Sequence, residues 1–255
     1  CASERNLLSK ISLGSLFIML LNSPKNSSSL VVPVITIDGP SGSGKGTISR
    51  LLAKELGWHF LDSGAIYRAL AWLALFTQTP LEEESLLPLV KQLVLDFRLR
   101  PSDYMLRVFC KQHDITDIIR SEEYGHLASQ LGAYAKVRRE LLDYQRAFRK
   151  APGLVADGRD MGSVVFPDAP LKVFLEASSE ERAKRRYLQL KGKGKHVSLN
   201  AVRAELELRD SKDRQRATAP LIAPLGASII DTTHLSIQDV LQCIKAKLQE
   251  AKIKF

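Results

Sequence analysis

The sequence predicts an α/β protein with a central parallel sheet flanked by helices. Short apolar, β-branched segments alternate with longer helical patterns along most of the chain, and such alternation is typical of parallel sheets. A glycine-rich segment, GPSGSGK at 39–45, joins the first apolar segment to the first helical one. Between about 90 and 150 the pattern is less regular, so we expect an insertion into the sheet there.

The individual elements follow from the period of the apolar residues and from the glycines and prolines between them. Apolar segments predict buried strands at 31–38, 58–62, 153–157, 171–177 and 227–231. Helical patterns cover 45–56, 65–76, about 122–150, 179–190, 198–216 and 236–252. Gly57 and Ser179 stand where a C-cap and an N-cap are expected. Two alternating segments within 92–110 predict a small antiparallel pair, and KGKGK at 191–195 a mobile basic loop.

Composition and charge narrow the class of protein. The hydrophobic content of 45% is ordinary for a soluble globular chain, and the net charge of +9 favours anionic partners. No Lys/Arg-rich block is interleaved with aromatic residues, so phosphate esters are better candidates than nucleic acid. The three cysteines are far apart and form no CxxC or Cys/His cluster, which argues against a zinc site or a disulfide framework.

The first thirty residues differ from the rest. Residues 11–21 form an apolar run that is too short to span a membrane. No small-x-small cleavage site follows it, so an export signal is the less favoured alternative. We expect residues 1–30 to be a disordered N-terminal extension and the folded unit to begin near Leu30.

The glycine-rich segment fits the G-x-x-x-x-G-K pattern between a strand and a helix, which is the context that the motif requires. Glycines let backbone N–H groups approach phosphate oxygens, the helix N-terminus adds a positive end, and a lysine adds a point charge. The segment therefore predicts binding of a nucleoside triphosphate such as ATP. The expected ATP-binding residues are Gly39, Pro40, Ser41, Gly42, Ser43, Gly44, Lys45, Gly46 and Thr47.

The position after Lys45 departs from the usual phosphate loop. Ser or Thr normally follows the lysine and ligates Mg²⁺, but here Gly46 follows it and the hydroxyl comes at Thr47. A direct bond between Mg²⁺ and this hydroxyl is therefore in doubt.

Three further segments accompany the phosphate loop: DSGAIYR at 62–68, ADGRDMGSVVFPDAP at 156–170 and ELRDSKDRQRATAPL at 207–221. Together with GPSGSGKGT at 39–47 they resemble the bacterial cytidylate kinases from about residue 31 to the end of the chain. The segment ASQLGAYAKVRREL at 128–141 is similar to the insertion that distinguishes these kinases from shorter relatives.

The resemblance implies a P-loop nucleoside monophosphate kinase fold. One kinase unit would cover 31–255, with its core at 31–62 and 151–255. The acceptor-binding region with its insertion would lie at about 63–150 and a short lid at about 182–197. The resemblance also implies ATP-dependent phosphorylation of CMP and dCMP, with Mg²⁺ held mainly by phosphates and water.

The chemistry of the substrates suggests roles for several side chains. Two anionic phosphate esters must meet, and guanidinium groups grip phosphate oxygens in a bidentate manner. Candidates for this task are Arg68, Arg159, Arg209 and Arg216. A carboxylate such as Asp160 suits the exocyclic amine of cytosine, and one such as Asp213 suits a ribose hydroxyl. The charged helix at 198–216 could equally be a solvated face with i,i+4 ion pairs.

The resemblance assigns these residues more closely. It places Ser63 and Arg68 in the CMP pocket, with Arg68 near the phosphate, and Arg159 at a phosphate. Cytosine would be read by Ser129, Arg138 and Asp160, and the sugar or base contacted by Arg209, Asp213 and Arg216. Lys45 and the lid residue Arg185 would act on the transferring phosphoryl group, with Arg182 and Arg186 as weaker candidates.

Asp157, at the end of its predicted strand, is expected to orient Mg²⁺ through water. The alternatives are a strand-end cap or a partner for an arginine. Other interpretations are a kinase for AMP or UMP, a nucleic-acid-dependent ATPase and a regulatory GTPase. A GTPase would need an NKxD motif after the loop, and the sequence has none. We expect a cytoplasmic monomer that binds small-molecule substrates and neither nucleic acid nor a membrane.

Overall fold

The central sheet contains five parallel strands, and a second, antiparallel sheet of three strands lies in the insertion. In this computed structural model residues 31–100 and 105–251 are described. The strands in chain order are β1 (Val34–Asp38), β2 (His59–Asp62), β3 (Leu95–Leu99), β4 (Leu106–Cys110), β5 (His113–Asp114), β6 (Leu154–Asp157), β7 (Leu171–Glu176) and β8 (Ser228–Asp231). The central order is β2-β6-β1-β7-β8, and the small sheet has the order β3-β4-β5.

Eight α-helices lie within the described residues. They are α1 (Lys45–Leu56), α2 (Ser63–Phe76), α3 (Glu83–Gln92), α4 (Glu122–Leu131), α5 (Ala135–Arg146), α6 (Ser179–Gly192), α7 (Leu199–Gln215) and α8 (Ile237–Glu250). A 3₁₀ turn at Ile118–Arg120 and a π-helical turn at Met161–Val165 complete the description. None of these helices is long and apolar enough to cross a bilayer.

Strand β1 is the centre of the sheet and is buried along its whole length. Its parallel register places Val34 beside Leu154 of β6 and Ile35 beside Leu171 of β7. Because successive side chains of a strand point to opposite faces, Val34 joins one apolar cluster and Ile35 the other. The first cluster includes α2, α4 and α5, and the second includes α1 and α8.

The five predicted strands of the central sheet are all present, and the α/β class with a parallel sheet is confirmed. The predicted bounds of α1 are also those observed, and Gly57 caps it in the left-handed region with φ 66°. The antiparallel pair is present as β3 and β4, to which β5 adds a third strand that was not predicted. The predicted N-terminal extension lies outside the described residues.

The prediction of one long helix over about 122–150 is wrong. The chain forms α4 and α5 instead, and between them Tyr134 has an extended backbone with φ −79° and ψ 114°. Contacts from distant residues favour this break. The Tyr134 hydroxyl donates to Leu81 O over 2.9 Å, and Glu83 Oε1 accepts from Lys136 N over 2.6 Å near the start of α5.

Three local features differ from what the sequence predicted. Helix α3 was not predicted; it forms with Pro88 inside it, and its buried residues Leu86, Leu89 and Val90 pack into the first apolar cluster. Helix α6 is capped by Ser178 rather than Ser179, since the Ser178 hydroxyl accepts from Glu181 N over 3.2 Å. The same helix continues to Gly192, so the predicted basic loop begins later than expected.

Candidate active site

A cleft of about 870 Å³ lies at the carboxyl ends of β1, β2 and β6. This is the edge of a parallel sheet where ligands bind in open α/β folds. The phosphate-loop residues from Ser41 to Thr47 line the cleft, whereas Gly39 and Pro40 lie behind its wall. The other predicted site residues also line it: Ser63, Arg68, Ser129, Arg138, Asp157, Arg159, Asp160, Arg185, Arg209, Asp213 and Arg216.

The phosphate loop connects β1 to α1 with its backbone turned toward the cleft. Gly44 is the N-cap of α1 in a left-handed conformation with φ 93°, and no side chain caps this end of the helix. The N-terminus of α1 thus offers its positive end to an anion. Gly39, with φ 145°, lies so close to the Leu175 carbonyl that no side chain fits there.

Lys45 is buried at the floor of the loop, where its Nζ donates to Pro40 O over 3.1 Å. Burial, followed by the positive charge of Arg159, lowers the pKa of Lys45 to about 7. An anionic phosphate bound beside Lys45 would stabilise its ammonium group, because the added negative charge favours the protonated form.

Asp157 ends β6 on the other side of the loop. Burial raises the pKa of Asp157 to about 6, although Lys45 lowers it in part. A Cβ on Gly46 would lie 3.1 Å from Asp157 Oδ2, so the residue after Lys45 touches this carboxylate. Within the described ranges no three His, Cys, Asp or Glu side chains converge as a cation site.

Arg159 joins the phosphate loop to helix α7. Its Nη2 donates to Ser41 Oγ over 2.7 Å, and its Nε donates to Asp213 Oδ2 over 3.0 Å. The second oxygen of Asp213 accepts from Ser129 Oγ over 3.1 Å. Burial would raise the pKa of Asp213, but Arg159 and Arg216 hold it below its usual value. Asp213 is therefore a carboxylate that orients an arginine and a serine of the site.

Arg138 and Asp160 form a buried ion pair in the deeper part of the cleft. Arg138 Nη1 also donates to Gly132 O over 3.4 Å. Asp160 is held in place by its neighbours, since the main-chain N–H groups of Met161 and Gly162 donate to the buried Asp38 over 2.8 Å each. The pair brings a carboxylate and a guanidinium to the same part of the cleft, which suits a ring with both donors and acceptors.

Arg68 and Ser63 lie at the start of α2. Arg68 Nη2 pairs with Asp62 Oδ2 over 3.0 Å, and Asp62 also caps the helix by accepting from Ala65 N over 2.8 Å. The Ser63 hydroxyl donates to Gln145 Oε1 over 2.7 Å. Arg68 Nε is buried without a hydrogen-bond partner.

Arg209 and Arg216 bring further positive charge from α7. Burial, followed by Arg159, lowers the pKa of Arg209 to about 10, and its Nε is buried without a partner. Arg216 donates to Gly132 O over 3.3 Å and to Ala219 O over 3.0 Å. Arg216 lies one residue beyond the end of α7, whereas Arg209 and Asp213 lie within the helix.

The three arginines of α6 have different environments. Arg185 lines the cleft, and its guanidinium donates to Thr232 O over 2.6 Å, to Thr232 Oγ1 over 3.1 Å and to Glu181 Oε1 over 2.9 Å. Arg186 also lines the cleft and pairs with Glu122 of α4. Arg182 does not line the cleft: it is buried behind the phosphate loop in an ion pair with Asp210.

Several residues of this site were not predicted. Tyr67 and Arg120 line the cleft. Asp38, Asp210 and Thr232 form hydrogen bonds to the main chain of segments in the cleft wall. Asp38 directly precedes the glycine-rich segment and Asp210 lies within the quoted segment 207–221, so both stood beside recognised motifs. Arg120 and Thr232 carry no local signal in the sequence.

Comparison with known proteins identifies the family. The profile described as cytidylate kinase matches residues 35–250. The chain belongs to the cytidylate kinase family. The cytidylate kinase of Edwardsiella ictaluri is 55% identical over 83% of this chain and 93% of its own length. That of Pseudomonas entomophila is 54% identical over 85% of this chain and 95% of its own length.

Solved structures of low sequence identity are also similar to this chain. A gluconokinase from Sinorhizobium meliloti 1021 aligns with a TM-score of 0.43 and 13% identity, over 86% of this chain and 93% of its own. The family assignment stands on the sequence relatives, and the resemblance stated for the sequence is confirmed.

Proposed function

We propose that this chain transfers the γ-phosphoryl group of ATP to CMP and dCMP, giving ADP with CDP or dCDP. The observation that carries the proposal is the position of Arg159, whose guanidinium contacts both Ser41 of the phosphate loop and Asp213 of α7. A cation between a donor loop and an acceptor pocket is what a transfer between two phosphates requires.

The donor half is the phosphate loop with Lys45. The start of α1, which no side chain caps, and the loop residues 41–47 that line the cleft receive the phosphates of ATP, and Lys45 neutralises oxygens of the β- and γ-phosphates. The lowered pKa of Lys45 in the free enzyme supports this role. A bound polyphosphate supplies negative charge that stabilises the ammonium form, which burial disfavours.

The acceptor half lies between α2, α4, α5 and α7. Asp160 accepts from the exocyclic amine of cytosine, while Arg138 donates to its ring nitrogen or carbonyl oxygen. Ser129 joins in reading the base by turning its hydroxyl from Asp213. Arg68 and Arg159 hold the CMP phosphate near the donor, and Ser63, Arg209, Asp213 and Arg216 complete the pocket around sugar and base. This arrangement selects cytosine because uracil offers an oxygen where cytosine offers the amine.

In the reaction an oxygen of the CMP phosphate attacks the γ-phosphorus in line. A new P–O bond forms as the bond from the γ-phosphorus to the β,γ-bridging oxygen breaks, and ADP leaves with that oxygen's charge. Lys45 and Arg159 lie at the loop to stabilise the charge of the transition state, and Arg185 joins them by moving from its contact with Thr232. Positioning and charge supply the catalysis, so no protein base is needed.

The site also fits Mg²⁺. Asp157 is a buried carboxylate at the loop, and burial raises its pKa, so an added cation would stabilise its charged form. Carboxylate oxygens are ligands that Mg²⁺ prefers. One carboxylate is too few for a protein-only site, which supports a metal held mainly by the nucleotide phosphates and by water. Bound there, Mg²⁺ would neutralise phosphate charge, and Asp157 would orient its water ligands.

Exclusion of water is assigned to the lid, which comprises most of α6 and the residues directly after it. Bulk water would otherwise compete with CMP for the γ-phosphoryl group. We assign the lid to about 182–197 and the acceptor-binding region to about 63–150, as the sequence predicted, within a core of 31–62 and 151–255. The monomeric state, the cytoplasmic location and the lack of nucleic-acid or membrane partners stay predictions.

The test is a coupled assay of ADP release with Lys45→Met. This variant should lose nearly all CMP-dependent turnover while its melting temperature stays near that of the wild type, because the lysine serves the phosphates rather than the core. Lys54→Met, an exposed lysine on the same helix, is the matched control and should remain active. Normal turnover of Lys45→Met would rule out the donor site.

A further inference from the structure

Ser41, in the phosphate loop, is held through both of its main-chain groups by one ion pair. Arg182 Nη1 donates to Ser41 O over 3.0 Å, and Asp210 Oδ1 accepts from Ser41 N over 3.3 Å. Arg182 and Asp210 also bond directly to each other. The pair therefore fixes the two peptide groups that flank Ser41, near the start of the phosphate loop.

The ion pair is deeply buried and fully engaged. Arg182 is 5% and Asp210 is 2% exposed. Arg182 Nε donates in addition to Ala177 O over 3.1 Å. The loop packs directly on this arginine, because a Cβ on Gly42 would lie 3.0 Å from Arg182 Cβ.

Because both side chains are buried, a contribution to stability alone is a weak explanation for the Arg182–Asp210 ion pair. Removing two charges from water costs several kcal/mol per ion, and a well-packed apolar pair of similar volume is often as stable or more so. A buried pair that also bonds to the ends of a ligand-binding loop has a second use, since it fixes the direction of those peptide groups.

The two residues also connect the loop to the elements of the acceptor side. Arg182 lies on α6 one turn before Arg185, and Asp210 lies on α7 between Arg209 and Asp213. The side chain of Ser41 is at the same time bound by Arg159. Ser41 is thus the point at which α6, α7 and the loop meet.

We propose that Arg182 and Asp210 are positioning residues that fix the Ser41 peptides of the phosphate loop and dock α6 and α7 against it. The inference rests on the proposed donor site. It assigns Arg182 a place behind the loop instead of contact with the transferring phosphoryl group. Loss of the pair should disturb the array of amides that receives ATP and leave the cytosine pocket, built on Arg138 and Asp160, unchanged.

The test replaces the pair with apolar side chains of similar size, in the double variant Arg182→Met with Asp210→Leu. Because no unpaired charge remains in the interior, we expect a melting temperature close to that of the wild type. The equilibrium Kd for ATP, measured by calorimetry without CMP, should rise about tenfold or more, since a displacement of about 1 Å in a site can cost up to 10²-fold. The ratio of kcat/KM for CMP to that for UMP, which reports on Arg138 and Asp160, should change less than twofold.

The matched control is Arg203→Met with Glu207→Leu, which removes an exposed ion pair of 2.9 Å on the same helix α7. It should leave the Kd for ATP unchanged. A double variant at 182 and 210 that folds and binds ATP like the wild type would overturn the inference. So would a variant whose only defect is a lower melting temperature.

A single variant keeps the inference testable if the double variant does not fold. Asp210→Asn retains an acceptor for Ser41 N but removes the charge that holds Arg182, so the Kd for ATP should again rise while the ratio of kcat/KM for CMP to that for UMP stays unchanged. An unchanged Kd for ATP would contradict the inference. Because ATP binding is measured without an acceptor, a failure of the proposed CMP kinase activity would appear separately, as a wild-type enzyme that binds ATP but does not consume it with CMP.

Discussion

Gly46 packs against the carboxylate of Asp157 so closely that a Cβ on the glycine would lie 3.1 Å from Asp157 Oδ2. A side chain at this position would come closer to the Asp157 carboxylate than ordinary van der Waals contact allows, so that carboxylate would have to shift. The carboxylate of β6 thus stands beside the position at which the usual loop carries a hydroxyl.

Restoring the usual residue should therefore impair this enzyme. Gly46→Ser places its Cβ against Asp157, and we expect kcat/KM for ATP to fall about tenfold or more, since small displacements in a site are costly. Steady-state kinetics with varied ATP measures the change. Gly192→Ser, at a helix end where a Cβ meets no atom within 4 Å, is the control. Equal activity of Gly46→Ser and the wild type would show that the contact is irrelevant to catalysis.

The phosphate loop, the order of strands and helices, and most of the cleft could be predicted because their signals are local or carried by motifs. Strand–loop–helix spacing identified Lys45, and quoted segments around 62–68, 156–170 and 207–221 contained the residues that the structure brings into one cleft. Their convergence follows from the parallel sheet, whose carboxyl edges meet on one side.

The remaining features depend on contacts between distant residues. The break before α5 is fixed by Glu83 and Leu81, which no pattern in 122–150 reveals. Arg182 resembled its neighbours Arg185 and Arg186 in the sequence, yet its partner Asp210 draws it behind the loop. Helix α3 forms in spite of Pro88 because its apolar residues are buried against the insertion.

Asp160 should determine the preference for cytosine. In Asp160→Asn the amide can donate to the O4 of uracil, whereas the carboxylate can only accept, so the ratio of kcat/KM for CMP to that for UMP should fall about tenfold or more. The control is Asp168→Asn, which alters an exposed carboxylate paired with Arg149 over 2.6 Å. If the CMP/UMP ratio of Asp160→Asn equals that of the wild type, Asp160 does not read the base.

The affinity for ATP should fall as pH rises above neutrality. In the free enzyme the pKa of Lys45 is lowered to about 7, chiefly by burial, and the polyphosphate binds its protonated form. Below pH 7 the ammonium is already present; above it, binding must take up a proton, so affinity decreases by up to about tenfold per pH unit.

Calorimetry of ATP binding at pH 8 in buffers of different ionisation enthalpy measures this proton uptake directly. Lys45→Arg keeps its charge throughout this range and should bind ATP with a much weaker dependence on pH. Binding by the wild type without proton uptake at pH 8 would contradict the assignment of Lys45 as the titrating group.

Arg185 should affect turnover more than binding. Its guanidinium is held by Thr232 and Glu181 beside the loop, and an arginine acting on the transferring phosphoryl group can contribute about 10³–10⁵ in rate. We expect Arg185→Lys to lower kcat about 10²-fold or more with little change in the KM for either substrate. Arg203→Lys, an exposed arginine on α7, should retain kcat. A rise in KM at constant kcat would assign Arg185 to ground-state binding instead.

The measurement that bears on all of these assignments is ADP production from ATP with each of the monophosphates AMP, CMP, GMP and UMP, and with dCMP, under identical conditions with Mg²⁺ present. A phosphate loop that faces a pocket built on Arg138 and Asp160 predicts rapid ADP production with CMP and dCMP and much slower production with the others. ADP production that does not increase on addition of CMP or dCMP would contradict that arrangement.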